Sequence, residues 1–239
     1  MSGRVSRAEA TRAQERTPRD SRRFRRVTAA ILMPVGPLIL AFLRLHGDGS
    51  DTYDEIVADP SGQWAASLWN WLALFSLVGG AIAAVHLMMR RAPILATVTG
   101  AILTPAYIAM GALSIMDGIA WGAVRTGLDR ASSDALSEAA FEGPITFVPV
   151  LIFVLGHITG VILLGILAMR TRFMPLWFGL LFTVSQIVHL VATFGGIPWL
   201  DFIGWGTTAI GMGVLGWHVL RTPDDIWEAA PIPRPRKRA

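Results

Sequence analysis

The sequence predicts an all-α integral membrane protein, a bundle of six transmembrane helices with both termini in the cytoplasm. Two observations on composition support this fold class. The 239 residues are 53% hydrophobic and only 16% charged, and mean hydropathy is +0.51, whereas soluble domains carry about 25% charge. The charged residues cluster in the tails and short connectors. The apolar runs between them are long enough, at about 1.5 Å per residue, to cross a hydrocarbon core of about 30 Å.

Six apolar segments are predicted to span the membrane, at about residues 27–45, 64–89, 92–116, 144–169, 174–197 and 202–220. Residues 1–26 carry nine arginines and no apolar periodicity, so we expect a disordered basic cytoplasmic arm. Residues 221–239 form a basic, proline-rich cytoplasmic tail.

Proline and aspartate mark the expected bends and starts of these spans. Pro34 and Pro37 interrupt the first span, which predicts a kink or local unwinding there. Pro93 suits the first turn of the third span, and Asp201 suits the N-cap of the sixth. The polar segment 125–143 predicts a short interfacial helix.

The arginines orient the bundle. With both termini, Arg90–Arg91 and Arg170–Arg172 on one side, that side holds 18 of the 21 lysines and arginines, all except Arg44, Arg125 and Arg130. The positive-inside rule makes this side the cytoplasm. Lysine is almost absent, which we interpret as codon bias of a GC-rich bacterium, so the expected location is the bacterial inner membrane.

The basic tails indicate contact with anionic lipid headgroups, because no nucleic-acid-binding module surrounds them. The absence of cysteine excludes disulfides, thiolate metal sites and cysteine nucleophiles. The sequence also lacks the phosphate-binding lysine loop, the Gly-x-Ser-x-Gly turn and the His-Glu-x-x-His zinc motif. No catalytic residue is therefore predicted.

Glycine in the spans is interpreted mainly as helix packing. Gly156 and Gly160 form a small-xxx-small pair in the fourth span. The sixth span is richest in glycine, so we expect it to be surrounded by other helices.

The candidate binding or relay residues are His157, His189, Gln186 and Thr193. His157 lies at the middle of the fourth span and His189 near the middle of the fifth, where they could face each other. Gln186, His189 and Thr193 share one helix face, which should point into the bundle. One hypothesis is a proton or substrate relay, and the alternative is an interhelical hydrogen bond without further function.

A haem held by two histidines is a third interpretation of the same pair. His86 and His218, both near the cytoplasmic side, would then form a second pair. A histidine so close to the membrane edge can also reach headgroup water, which is the simpler interpretation.

Asp117 and Asp201 are candidates at the outer interface, since each is followed four residues later by a tryptophan. A helix cap with an interfacial tryptophan explains this repeat without further function.

Three functional hypotheses follow. The first is binding or transport of a small molecule, ion or proton at a polar site between spans one, four and five. The second is a haem-carrying redox protein. The third is a non-catalytic subunit that joins a membrane protein partner or a second copy of the chain.

Overall fold

The computed structural model describes residues 20–45 and 52–228, which are helical throughout apart from short connections. No strand occurs in these ranges, so the predicted all-α fold is confirmed. The helices are α1 (Arg22–Leu43), α2 (Thr52–Ala58), α3 (Pro60–Met89), α4 (Pro93–Ala109), α5 (Gly111–Arg125), α6 (Arg130–Glu142), α7 (Pro144–Arg170), α8 (Leu176–Gly195), α9 (Pro198–Arg221) and α10 (Asp224–Trp227).

Five helical segments are long and apolar enough to cross a membrane: α1, α3, α4 with α5, α7 and α8. This composition is that of a multi-pass membrane protein. The sixth predicted span corresponds to α9, whose 24 residues are sufficient in length. It is not among the five, because five glycines and several polar residues dilute its apolar content.

Proline at the first helical position starts α3, α4, α7 and α9. It fits there because the first N–H groups of a helix have no intrahelical partner. Asp59 caps α3 by accepting a hydrogen bond from the backbone N–H of Gly62, and Asp129 caps α6 through Ser132.

The six long helices pack in a closed ring, in the order α1, α3, α4, α7, α8, α9 and back to α1. The core inside the ring is apolar and includes Met33, Leu77, Leu164 and Leu215, each at most 1% exposed. The short helices α2 and α6 lie at the end of the ring that also carries Asp54, Glu55 and Asp59. We call this the acid end, and the opposite end, with Arg90 and Arg170, the arginine end.

Small residues let neighbouring helices approach closely. A Cβ on Gly160 of α7 would lie 2.8 Å from the Leu103 side chain on α4, so the predicted packing role of this glycine is confirmed. On α9, a Cβ on Gly216 would lie 2.6 Å from the Ala30 carbonyl oxygen of α1, and Gly204 packs on the α8 backbone.

At the arginine end, the short helix α10 ties the end of the described chain to its beginning. Arg26 pairs with Asp224 over 2.7 Å and Arg25 with Glu228 over 2.8 Å. Trp227 is buried, and its carbonyl oxygen accepts a hydrogen bond of 2.7 Å from His86 Nε2.

The structure differs from the sequence predictions at several boundaries. Helix α1 begins at Arg22, within the segment expected to be disordered, and continues through Pro34 and Pro37 without a break. The third span continues as α5 to Arg125 after an interruption at Met110. The polar segment that follows does contain a helix, α6. Residues 1–19, 46–51 and 229–239 lie outside the described residues, with most of the predicted arm and tail.

The prediction that Asp201 caps α9 is also wrong. Ile197 occupies the N-cap of α9, and Asp201 lies one turn further into the helix. Trp205, expected near the outer interface, is fully buried.

Candidate functional site

The candidate site begins with a carboxylate and an imidazole buried between α8 and α9. His189 Nδ1 lies 2.5 Å from Asp201 Oδ1, and both side chains are less than 10% exposed. The turn between the helices places them together. Gly196 ends α8 with a left-handed φ of 59°, a conformation that glycine adopts without a steric penalty, and α9 starts two residues later.

Arg44 joins this pair from the end of α1. Its Nε lies 3.3 Å from Asp201 Oδ2, so the Asp201 carboxylate contacts an imidazole with one oxygen and a guanidinium with the other. Thr193 donates a hydrogen bond to the same Oδ2 over 3.5 Å, and its hydroxyl lies 3.3 Å from His189 Nδ1. The Arg44 side chain remains 42% exposed, which places the pair near the surface of the acid end.

His157 on α7 lies next to this pair, with its ring centroid 5.4 Å from that of His189. The sequence prediction placed these two histidines together, and the structure does so. His157 Nδ1 bonds to the Phe153 carbonyl oxygen over 3.1 Å. Since a carbonyl oxygen only accepts, Nδ1 carries the proton and Nε2 of the neutral ring is an acceptor. That Nε2 is buried and has no partner among the described residues.

Two aromatic rings lie nearly parallel to the His157 imidazole. Phe153 stacks on one face at 4.5 Å and Trp205 is parallel to the ring at 5.9 Å. Trp205 also packs against His189 at 5.1 Å, with its plane tilted by 60°. The indole Nε1 is buried without a hydrogen-bond partner among the described residues. Trp205 thus contacts both histidines through its ring.

Deeper in the bundle, a second polar group continues from this site. Gln186 Nε2 donates a hydrogen bond of 2.8 Å to Thr208 Oγ1, and Ser185 Oγ lies 3.0 Å from the same oxygen. Gln186 thus bonds to α9 rather than to a histidine, and its buried Oε1 has no partner among the described residues. We call the group of Arg44, Asp201, Thr193, His189, His157, Trp205, Gln186, Ser185 and Thr208 the polar column.

The polar column ends at an apolar layer. Phe182, one helical turn from Gln186 and Ser185, is completely buried. Its ring packs against glycine on both neighbouring helices, since a Cβ on Gly211 would overlap the ring and one on Gly165 would lie 3.2 Å from it. The column is therefore connected to the acid end and is closed toward the arginine end by Phe182.

Because the polar column is buried, its charged groups need partners of opposite charge. An ionised carboxylate inside a membrane protein is costly unless it is paired, and Asp201 has two cationic or cation-capable partners. The arrangement can hold a proton or bind a small polar solute, because His189 and His157 each have a ring nitrogen that can take up a proton or accept a hydrogen bond from a solute. No group of three or more histidine, aspartate or glutamate residues within the described ranges could hold a metal ion.

The haem hypothesis does not fit this arrangement. Two axial imidazoles lie on opposite sides of the macrocycle, whereas fully buried Trp205 packs against both His157 and His189. The two imidazole centroids are only 5.4 Å apart, so the rings leave no space for a macrocycle between them. The second predicted pair is not formed, because His86 bonds to Trp227 and His218 packs against Phe173, with ring centroids 5.1 Å apart.

The remaining predicted residues do not all lie in one place. Thr193 and Asp201 belong to the polar column, whereas Asp117 is exposed on α5. Sequence reasoning missed four members of the site, namely Arg44, Ser185, Trp205 and Thr208. The sequence did contain a signal for the contact between His189 and Asp201. These residues are similar numbers of positions before and after the Gly195–Gly196 turn, so an antiparallel helix pair brings them to the same depth.

The chain matches no protein-family model, and comparison with curated proteins and with solved structures gives no match.

Proposed function

We propose that this chain is an inner-membrane protein of six spans that binds a proton or a small polar solute at the polar column, from the extracytoplasmic side. Burial of Asp201 between His189 and Arg44 is the observation that carries the proposal. Ionisable groups inside membrane bundles are rare and costly, and they commonly mark ion, proton or substrate pathways.

The six-span topology with both termini in the cytoplasm is supported by the ring of six long helices, with α9 as the sixth. The arginine distribution supports the orientation: in the ring, the arginine end faces the cytoplasm and the acid end faces outward. The polar column then opens to the outside.

His189 is the proposed exchange group. Its Nδ1 is held by Asp201, which leaves Nε2 as the nitrogen that can take up a proton or contact a solute. His157 Nε2, a buried acceptor on the neighbouring ring, is the next group inward. The hydrogen-bonded Gln186 and Thr208 complete a path that reaches the Phe182 layer.

Transport across the whole membrane would require the Phe182 layer to open. Phe182 fits between Gly165 and Gly211, so a small shift of α8 relative to α7 and α9 would change this contact. The structure has the layer closed, and binding from the acid end is therefore the first step in the proposed function.

Infrared difference spectroscopy of the purified protein in lipid tests this proposal. Acidification of the wild type should produce the C=O band of a protonated buried carboxyl group, and Asp201→Asn should remove that band. Asp134→Asn, which removes an exposed carboxylate on α6, is the matched control and should keep it.

The thermal unfolding midpoint of each variant establishes that it is folded at the pH values compared. If Asp201→Asn gives the wild-type difference spectrum while it remains folded, the column does not bind a proton at Asp201. If, in addition, His189→Gln leaves the imidazole bands unchanged, the proposal fails. The polar column would then be a structural contact, as expected for a non-catalytic partner subunit.

A further inference from the structure

A second site, separate from the polar column, lies at the acid end between α1, α2 and α3. It is a cavity of about 690 Å³, a volume typical of small-molecule sites. One wall is the last part of α1, from Leu38 to Leu43, and the opposite wall is the first part of α3, up to Trp69. We call it the outer groove.

The walls of the outer groove are apolar, and its polar groups are at one side. Leu38, Phe42 and Trp69 line it and are each about half exposed. Glu55 of α2 and Asp59 at the start of α3 also line it, whereas no lysine or arginine does. The groove therefore combines an apolar, partly aromatic surface with two carboxylates.

The two carboxylates have no cationic partner among the described residues. Glu55 accepts a hydrogen bond of 3.1 Å from Gln63, and Asp59 accepts from Gly62 and Ser61. By contrast, Asp54, the neighbour of Glu55 on α2, pairs with Arg130. The backbone N–H of Gly62 and the Ser61 hydroxyl hold the pKa of Asp59 below its ordinary value, so this carboxylate is ionised at neutral pH.

Charge complementarity selects the ligand class. A phospholipid head group is anionic or zwitterionic, so its phosphate is repelled by the two carboxylates and offsets the attraction of any ammonium group that it carries. An amphipathic organic cation would place its apolar body on Leu38 and Trp69 and its positive charge near Glu55 and Asp59. Aromatic faces in the groove add a cation–π attraction. We propose that the outer groove binds amphipathic organic cations.

Binding of tetraphenylphosphonium tests this directly. Full-length protein in phosphatidylcholine nanodiscs is titrated with the cation, and binding to empty nanodiscs is subtracted. Tetraphenylborate, of nearly the same size and shape but negative, should not bind to the protein. The Glu55→Gln/Asp59→Asn double variant should bind the cation about tenfold more weakly, since it removes both charges. Asparagine keeps the α3 cap, so this variant should fold.

The matched control is Asp134→Asn/Glu138→Gln, which removes one aspartate and one glutamate from exposed positions on α6 at the same end. It should keep the wild-type dissociation constant within twofold. Ala66→Phe, which fills the outer groove and leaves both carboxylates in place, should abolish binding of the cation.

Three results would overturn the proposal. Equal weakening in the control and groove variants would show attraction by surface charge in general. Equal binding of tetraphenylborate would show that apolar contact alone is responsible. A phospholipid that co-purifies with the protein, is lost from Ala66→Phe and is not displaced by tetraphenylphosphonium would identify the groove as a lipid site.

Discussion

Asp201 is a carboxylate inside an apolar bundle, and each of its contacts reduces the cost of placing it there. His189 and Arg44 contact different oxygens of the carboxylate, and Thr193 adds a weaker hydrogen bond. Removing a partner from a buried polar group costs more than the hydrogen bond itself contributes, because the group left behind has also lost its water. The residues of this cluster should therefore be strongly coupled.

Asp201→Leu is expected to lower the free energy of unfolding by about 1–3 kcal/mol, because buried His189 Nδ1 would lose its short bond to the carboxylate and keep only the 3.3 Å contact with the Thr193 hydroxyl. Asp134→Leu should have little effect, since that carboxylate is exposed on α6. Unfolding of the purified protein in mixed micelles with increasing sodium dodecyl sulfate measures both. If the two variants are equally stable, Asp201 does not hold α8 and α9 together through His189.

At the scale of helices, glycine and proline determine how closely the ring packs. Proline starts four of the long helices, and glycines on α7 and α9 form the surfaces that α4, α1 and α8 contact. Adding a Cβ at such a position would push two backbones apart. A glycine that has no neighbouring atoms can be replaced by alanine without this effect. The small residues thus fix helix spacing rather than forming a site of their own.

Gly216→Ala should destabilise the bundle by about 1–3 kcal/mol, the usual cost of overpacking. Its Cβ would lie 2.6 Å from the backbone carbonyl oxygen of Ala30, which moves only if α1 and α9 separate. Gly206→Ala on the same helix is the control, because no atom lies within 4 Å of its added Cβ. The same denaturation assay compares the two, and a stable Gly216→Ala protein would mean that the close contact between α1 and α9 is not required.

For the whole molecule, the two ends of the ring differ in charge, and this difference sets the proposed orientation. At the arginine end, α10 links the beginning and the end of the described chain through Arg25 and Arg26. The outer groove lies at the acid end, and the polar column reaches that end through the partly exposed Arg44. If the proposed topology holds, both sites meet solutes from outside the cell.

Labelling of single cysteines tests this orientation cleanly, because the chain has no native cysteine. Glu138→Cys, exposed on α6, should react with a membrane-impermeant maleimide in spheroplasts. Arg90→Cys, exposed at the arginine end, should react only after the membrane is permeabilised. The reverse pattern would invert the bundle, and labelling of both in sealed spheroplasts would contradict the assignment of the two ends to opposite sides.

Much of the architecture could be read from the sequence, since it depends on local properties. Long uncharged segments, starting prolines and the arginine turns after Met89 and Met169 locate the helices to within a few residues. The pairing of His157 with His189 also follows from the sequence, because the short turn between their helices makes these neighbours antiparallel. Boundaries were less accurate: α1 begins at Arg22 because Arg25 and Arg26 have acidic partners near the other end of the chain.

The sequence by itself determined a polytopic helical protein with a histidine pair inside the bundle, because hydropathy and helical periodicity depend on neighbouring residues alone. Only the tertiary structure decided what surrounds that pair. Arg44 is more than 140 positions from both His189 and Asp201 along the chain, and it meets Asp201 only because α1 packs against α9 and closes the ring. Trp205 and the outer groove likewise depend on contacts between distant helices, which no local pattern encodes.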